Sequence, residues 1–143
     1  MTETSHVALQ CITAPDVPPP AGHYSHAVKT SNWVFVSGVL PVTVTPEADF
    51  AAQTEAALRQ CQQILAAAGC GWPQVAQCTA YIVGITHWPV FNQCYAHFLQ
   101  HHKPARAVVP VPALHHGYLI EIQLTAVVTS PQSPPLAERH RES

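Results

Sequence analysis

The chain has 143 residues, 48% of them hydrophobic and only 10% charged, and a formal net charge of −2. That length fits one compact domain around one core, and cations scattered at Lys29, Arg59, Lys103, Arg106, Arg139 and Arg141 offer no basic stripe to neutralise a nucleic acid. No stretch approaches the roughly eighteen apolar residues needed to cross a bilayer, and Met1 to Gln10 lacks the basic segment and apolar run of a secretory signal, so a cytoplasmic protein is expected.

Taken in chain order, Ala14 to Gly22 carries Pro15, Pro18, Pro19 and Pro20. Each proline lacks an amide donor and restricts its predecessor, which predicts an extended loop. Ala27 to Thr30 and Trp33 to Leu40 read as two strands around the turn at Ser31-Asn32. From Phe50 to Ala68, apolar and small residues recur at three and four, which predicts an amphipathic helix. Thr45-Pro46-Glu47 or Asp49 would open it, and Gly69 would end it.

Val75 to Ile85 is β-branched and aromatic and reads as a third strand. Val90, Phe91, Cys94, Tyr95 and Phe98 form one stripe of a second helix, from Trp88 to His101, with Thr86 available as its cap. Ala105 to Leu114 and Leu119 to Thr129 are two more apolar strands, and the short link His115-His116-Gly117-Tyr118 suits a hairpin. From Ser130 onward, prolines and charges with few apolar residues predict a disordered tail over 130–143 after one domain over 1–129.

This order implies an α+β domain, a mixed sheet with its helices on one face. Apolar residues on both sides of several strands, together with a charge content far below the roughly 25% of an average domain, suggest that self-association buries the other face. A neutral surface rich in Ser, Thr, Gln and His is the alternative. The five cysteines, Cys11, Cys61, Cys70, Cys78 and Cys94, form no CxxC pair and read as reduced, mostly buried thiols.

Within residues 105 to 129 the only charged side chains are Arg106 and Glu121. A guanidinium among valines costs several kcal/mol, in the range of ~3 or more, unless something meets it. If the two strands form a hairpin, Arg106 and Glu121 come near one another and a structural salt bridge accounts for both. Otherwise Arg106 offers its rigid fork of donors to a substrate carboxylate and Glu121 orients or activates water.

The segment PARAVVPVPALHHGYLIEIQLTAVV resembles the closing signature of the RidA/YjgF family of enamine and imine deaminases. GHYSHAVKTSNWVFVSGVLPV is similar to that family's tyrosine loop and Ser-Gly-x-x-Pro strand, and FAAQTEAALRQCQQILAAAG to its first helix. The resemblance runs from about residue 12 to 129. It implies a chorismate-mutase-like fold with a mixed six-stranded sheet and two helices on one face. It also implies a homotrimer with sites between subunits, and hydrolysis of 2-aminoacrylate-like enamines or imines to 2-keto acids and ammonia without a cofactor.

Carried over, the resemblance makes Arg106 the carboxylate-binding arginine and Glu121 the residue that positions the hydrolytic water. Tyr24 becomes the loop tyrosine lining the pocket, Ser37 and Gly38 the turn beside the site, and Asn92 its border. The chain departs from the family pattern at Val39, Gln60 and Val108. Those changes, with His115, His116 and Tyr118 near the rim, either admit a bulkier or aromatic imino acid or are neutral.

Ten histidines raise a metal site. Adjacent residues on a strand point to opposite faces, and no carboxylate or thiol lies near His23 and His26 to complete a ligand set, so surface or interface histidines are expected and no metal. The expected ligand is therefore a small carboxylate, with neither nucleic acid nor membrane as partner. Two alternatives remain open: a pathway-specific deaminase of the same fold, of the aminomuconate type, and a non-enzymatic carboxylate-binding trimer, which would leave Glu121 without a task.

Overall fold

The computed structural model describes residues 8–128, so the tail expected from residue 130 lies outside them. Six strands form one sheet: β1 (Gln10–Ile12), β2 (Ala27–Thr30), β3 (Trp33–Val39), β4 (Val75–Val83), β5 (Ala105–Val111) and β6 (Ile120–Val127). Their order is β1-β2-β3-β6-β4-β5, and only the β4–β5 pair is parallel. The helices α1 (Phe50–Ala67) and α2 (Trp88–Leu99) pack together against one face.

Local chemistry explains the helix ends. Asp49 caps α1, its carboxylate accepting from the amide of Ala52 at 2.8 Å. Gly69, at φ +85°, takes the left-handed turn that ends the helix. Thr86 does not cap α2. It sits in a 3-10 turn, and His87 holds the N-cap position without a side-chain bond while its ring stacks on Phe50 at 4.2 Å. Pro89 in the first turn costs no hydrogen bond.

The core lies between helices and sheet. Leu58, Ile64 and Leu65 of α1 and Phe91 of α2 meet Ile82 of β4 and Ile120, Ile122 and Leu124 of β6. Gln53, fully buried, ties the start of α1 to the start of β6. Its Nε2 donates to the carbonyls of Pro46 and Ala48, both at 3.0 Å, and its Oε1 accepts from the amide of Leu119 at 2.8 Å.

The expected hairpin between the last two strands does not form. β4 lies between β5 and β6, so Arg106 stands beside Cys78 while Glu121 stands beside Tyr81. Pro110 suits β5 to the edge it takes beside β4, since a proline within a strand cannot donate to the ladder of a second neighbour, while β6 is flanked on both sides by β3 and β4. β6 alternates fully buried Ile120 and Ile122 with half-buried Glu121 and exposed Gln123, the pattern of a central strand with one face on the core. The three-residue β1 is too short to have a period of its own, and the sequence reading passed over it.

On the face away from the helices, Trp33 and Phe35 stack at 6.3 Å and are each 47% exposed. No helix of the described residues is long and apolar enough to cross a membrane.

Candidate active site in two halves

The structure separates the expected site residues into two groups. Arg106 points from β5 toward α2, where Nη1 donates to Oδ1 of Asn92 at 2.9 Å. Its guanidinium carbon lies 5.0 Å from the ring centre of Tyr95, 5.5 Å from Phe91 and 5.8 Å from Trp88. Val108, two residues along β5, faces the same side and packs half-buried against the core.

A guanidinium has five N–H donors. The bond to Asn92 is the one recorded for Arg106, and ring faces attract the cation without taking a donor in its plane. Among the described residues no carboxylate pairs with it. The remaining donors are free for an anion, and a carboxylate is the anion whose geometry fits the fork.

The second group gathers on the other face. Alternation along β6 puts Ile120 and Ile122 into the core and turns Glu121 away from the helices. Its carboxylate lies against Gly38, so close that a methyl group there would overlap Oε2. Gly38 and Ser37 form a bulge in β3, lying between the pairs Val36–Leu124 and Val39–Ile122. The extra residue brings backbone up to the carboxylate, a common use of bulges beside sites.

Ser37 is anchored by its hydroxyl, which donates to the carbonyl of Ser25 at 2.6 Å. Tyr24, Ser37, Gly38 and Glu121 line one cavity of about 530 Å³. Val17, Pro18, Val39 and Ile64 give the same cavity apolar lining, and His115 and His116 also line it. Val39 and Gln60, both noted as departures, therefore line this cavity. Gln60 is held by a bond from Nε2 to the carbonyl of Leu40 at 2.9 Å.

The two halves do not meet within one subunit. Arg106 and Glu121 are two strands apart and three residues out of step along β4, which separates their Cα atoms by about 14 Å from strand spacing and rise. Their side chains also leave opposite faces of the sheet. A salt bridge between them is thereby excluded.

Two features escaped the sequence reading. His26 is not a surface histidine: it is 5% exposed, its Nδ1 accepts from the amide of Ala14 at 3.0 Å, and its Nε2 lies 2.9 Å from the carbonyl of Pro18. An amide can only donate and a carbonyl only accept, so the ring is the neutral form with its proton on Nε2. It pins the start and the middle of the proline loop that walls the cavity. The second feature is the aromatic group around Arg106, since Phe91 and Tyr95 were read as core stripe and Trp88 as no more than a helix start. Their spacing from Trp88, at three and seven with Asn92 at four, was the available signal.

Thiols near the site are chemically quiet. Burial pushes Cys78 from its ordinary 9.0 up to about 12, against smaller lowering pulls from the Tyr95 hydroxyl and Arg106. Among the described residues no cluster of three or more His, Cys, Asp or Glu could hold a metal ion.

Comparison with known proteins adds an independent line. The family model described as endoribonuclease L-PSP matches residues 14–128. The 3-aminoacrylate deaminase RutC of Acinetobacter baylyi is 36% identical over 115 residues, covering 78% of this chain and 91% of that protein. The 2-iminobutanoate/2-iminopropanoate deaminase of Rattus norvegicus is 31% identical over 127 residues, covering 86% and 93%. The crystal structure of E. coli TdcF with bound serine superposes with a TM-score of 0.79 at 28% identity, covering 84% of this chain and 99% of that one.

Proposed function

The chain belongs to the endoribonuclease L-PSP family, the RidA/YjgF proteins, and from that premise we propose that it is a hydrolytic deaminase of 2-amino-acid enamines and imines, releasing 2-keto acids and ammonia. Relatives named as deaminases of 3-aminoacrylate and of 2-iminobutanoate support this class of chemistry. The observation that carries the reading is the pair of complementary half-sites: a cation with unspent donors on one face, and a carboxylate at a bulge on the other.

The working enzyme is a homotrimer whose sites lie between subunits, so that Arg106 and Asn92 of one copy face Tyr24, Ser37, Gly38 and Glu121 of the next. The separation of the halves within one chain supports this, because no small substrate bridges about 14 Å and two faces of a sheet. Trp33 and Phe35, half exposed on the open face, supply apolar surface for the association.

Arg106 grips the substrate carboxylate and fixes the orientation of the neighbouring imine carbon. Glu121 takes a proton from water as the water oxygen bonds to that carbon, giving a carbinolamine. The species attacked is the protonated imine, which an enamine gives by taking a proton at carbon. The proton on Glu121 then passes to the carbinolamine nitrogen, directly or through water. As the C–N bond breaks with its electron pair leaving on ammonia, the hydroxyl proton returns to Glu121, and the keto acid remains. The cavity of about 530 Å³, with Val39 and Val17 in its wall, favours imino acids with side chains larger than methyl.

Mixing two dead variants tests the arrangement. Imines made in place from amino acids by an oxidase are timed by trapping survivors with semicarbazide. Arg106→Ala and Glu121→Gln each lose activity, the first at least a hundredfold from the loss of a charged two-pronged contact of about 3 kcal/mol. After co-refolding in equal amounts, random assembly leaves about a quarter of the sites with both groups intact, and activity returns in that proportion. A wild-type protein that leaves imine decay unchanged sinks the deaminase reading, an active Arg106→Ala protein sinks the role of Arg106, and two dead variants that fail to complement sink the shared site.

A further inference from the structure

Arg106 is held in an unusual way for a residue with so demanding a task. One side chain, Asn92, takes one donor, and Trp88, Phe91 and Tyr95 surround the guanidinium carbon at 5.0 to 5.8 Å. All four come from α2, at successive positions of one helical stripe, so a single rigid element sets the whole enclosure. The members differ in burial. Phe91 is fully buried and Tyr95 6% exposed, whereas Trp88 is 40% exposed.

Phe91 and Tyr95 are thus core residues that any stable version of this helix keeps. Trp88 is not explained by the core. It is 40% exposed, unlike Phe91 and Tyr95, and its indole stands against the one cation of this half-site.

We propose that Trp88 is a positioning residue, whose indole holds the Arg106 guanidinium in the plane that presents its free donors to the substrate carboxylate. This rests on the reading of Arg106 as the carboxylate grip. The physical reason is entropy. An arginine side chain on an edge strand sweeps many rotamers, and a substrate must halt that motion on binding. Attraction between the cation and the faces of three rings halts it beforehand, with no N–H consumed. A carboxylate in place of the indole would also hold Arg106, but would occupy the donors that the substrate needs.

The effect therefore falls on binding rather than on the chemical step. Trp88→Leu keeps an apolar side chain and removes the ring. It raises KM for a 2-imino acid by roughly threefold to tenfold, the range of one partly exposed cation–ring contact, with kcat nearly unchanged. Trp88→Phe restores most of the loss, because a ring returns, and Val90→Ala on the same helix but outside the enclosure controls for damage to α2. A structural role for Trp88 would instead lower kcat and melting temperature and raise KM together, without regard to aromaticity.

A parallel binding measurement separates this proposal from the deaminase reading. Calorimetric titration with 2-oxobutyrate, a stable 2-keto carboxylate, reports the grip of Arg106 alone. If wild type deaminates no imine but binds 2-oxobutyrate, and Trp88→Leu weakens that binding threefold or more, the positioning role stands while the reaction assignment falls. If Trp88→Leu binds and turns over as wild type does, or if Trp88→Phe is as poor as Trp88→Leu, the proposal is overturned. It is overturned equally if wild type does not bind the keto acid.

Discussion

Replacing Gly38 by alanine separates activity from stability at the Glu121 half-site. The added methyl would overlap Oε2 of Glu121 and stand 3.0 Å from its Cδ and 3.4 Å from its Cγ, while no other group comes so near. Ordinary carbon contacts begin near 3.5 Å, so the carboxylate must move by about 1 Å. It can do so by turning the outer torsions of a half-buried side chain, and Gly38 is not in the left-handed region, so its backbone accepts alanine. The expected stability change is within about 1 kcal/mol.

Activity should respond very differently. A group that takes a proton from a positioned water loses on the order of a hundredfold for a displacement of about 1 Å. The assay is keto-acid release from an oxidase-generated imine, run beside differential scanning fluorimetry on the same preparation. The expected outcome is a melting temperature close to wild type with kcat down about a hundredfold and KM little changed, because Arg106 is untouched. Full activity in Gly38→Ala, with Glu121→Gln inactive, would refute the argument that the bulge places the carboxylate.

Gln53→Leu should destabilise by about 2 to 4 kcal/mol, since it leaves two carbonyls and the amide of Leu119 without their partner in a buried setting; the urea midpoint measures it. Cys78 predicts an alkaline weakness. Its thiol is held up to about 12 against an ordinary 9.0, so the fold favours the neutral form. That contribution is whole below pH 9 and is lost as pH rises toward 12, by up to about 4 kcal/mol. Urea midpoints at pH 8 and pH 11 should therefore fall more steeply for wild type than for Cys78→Ala, and parallel lines for the two proteins would refute it.

Much of the fold was legible because its elements have strong periods. The stripe from Phe50 to Leu65 and the cap at Asp49 are local facts, and the structure places α1 where they put it. The turn at Ser31-Asn32 is likewise local, and pairs Thr30 with Trp33. What the sequence did not disclose is which strand lies beside which. Apolar runs at 105–111 and 120–127 satisfy a hairpin as well as they satisfy two places on either side of β4, and the short link tipped the reading toward the wrong one. Pro110 held part of the information. An unpaired amide position excludes a strand from the interior of a sheet, and an edge place for β5 follows.

The same slip explains how the site was half understood. Arg106 and Glu121 were found because charge is scarce in those strands, a signal that does not depend on topology. Their relation was misjudged because it does. Once β4 stands between them, the two groups cease to compensate one another, and each must answer for its own desolvation. Arg106 does so with three rings and Asn92, a set that lowers the cost of burial and leaves donors over. Glu121 does so by lying half-buried at an open cavity. Neither arrangement neutralises charge, and two uncompensated charges of opposite sign on opposite faces of one sheet are what a self-complementary assembly can use. In the proposed assembly a second copy would bring the opposite half without any change in the first.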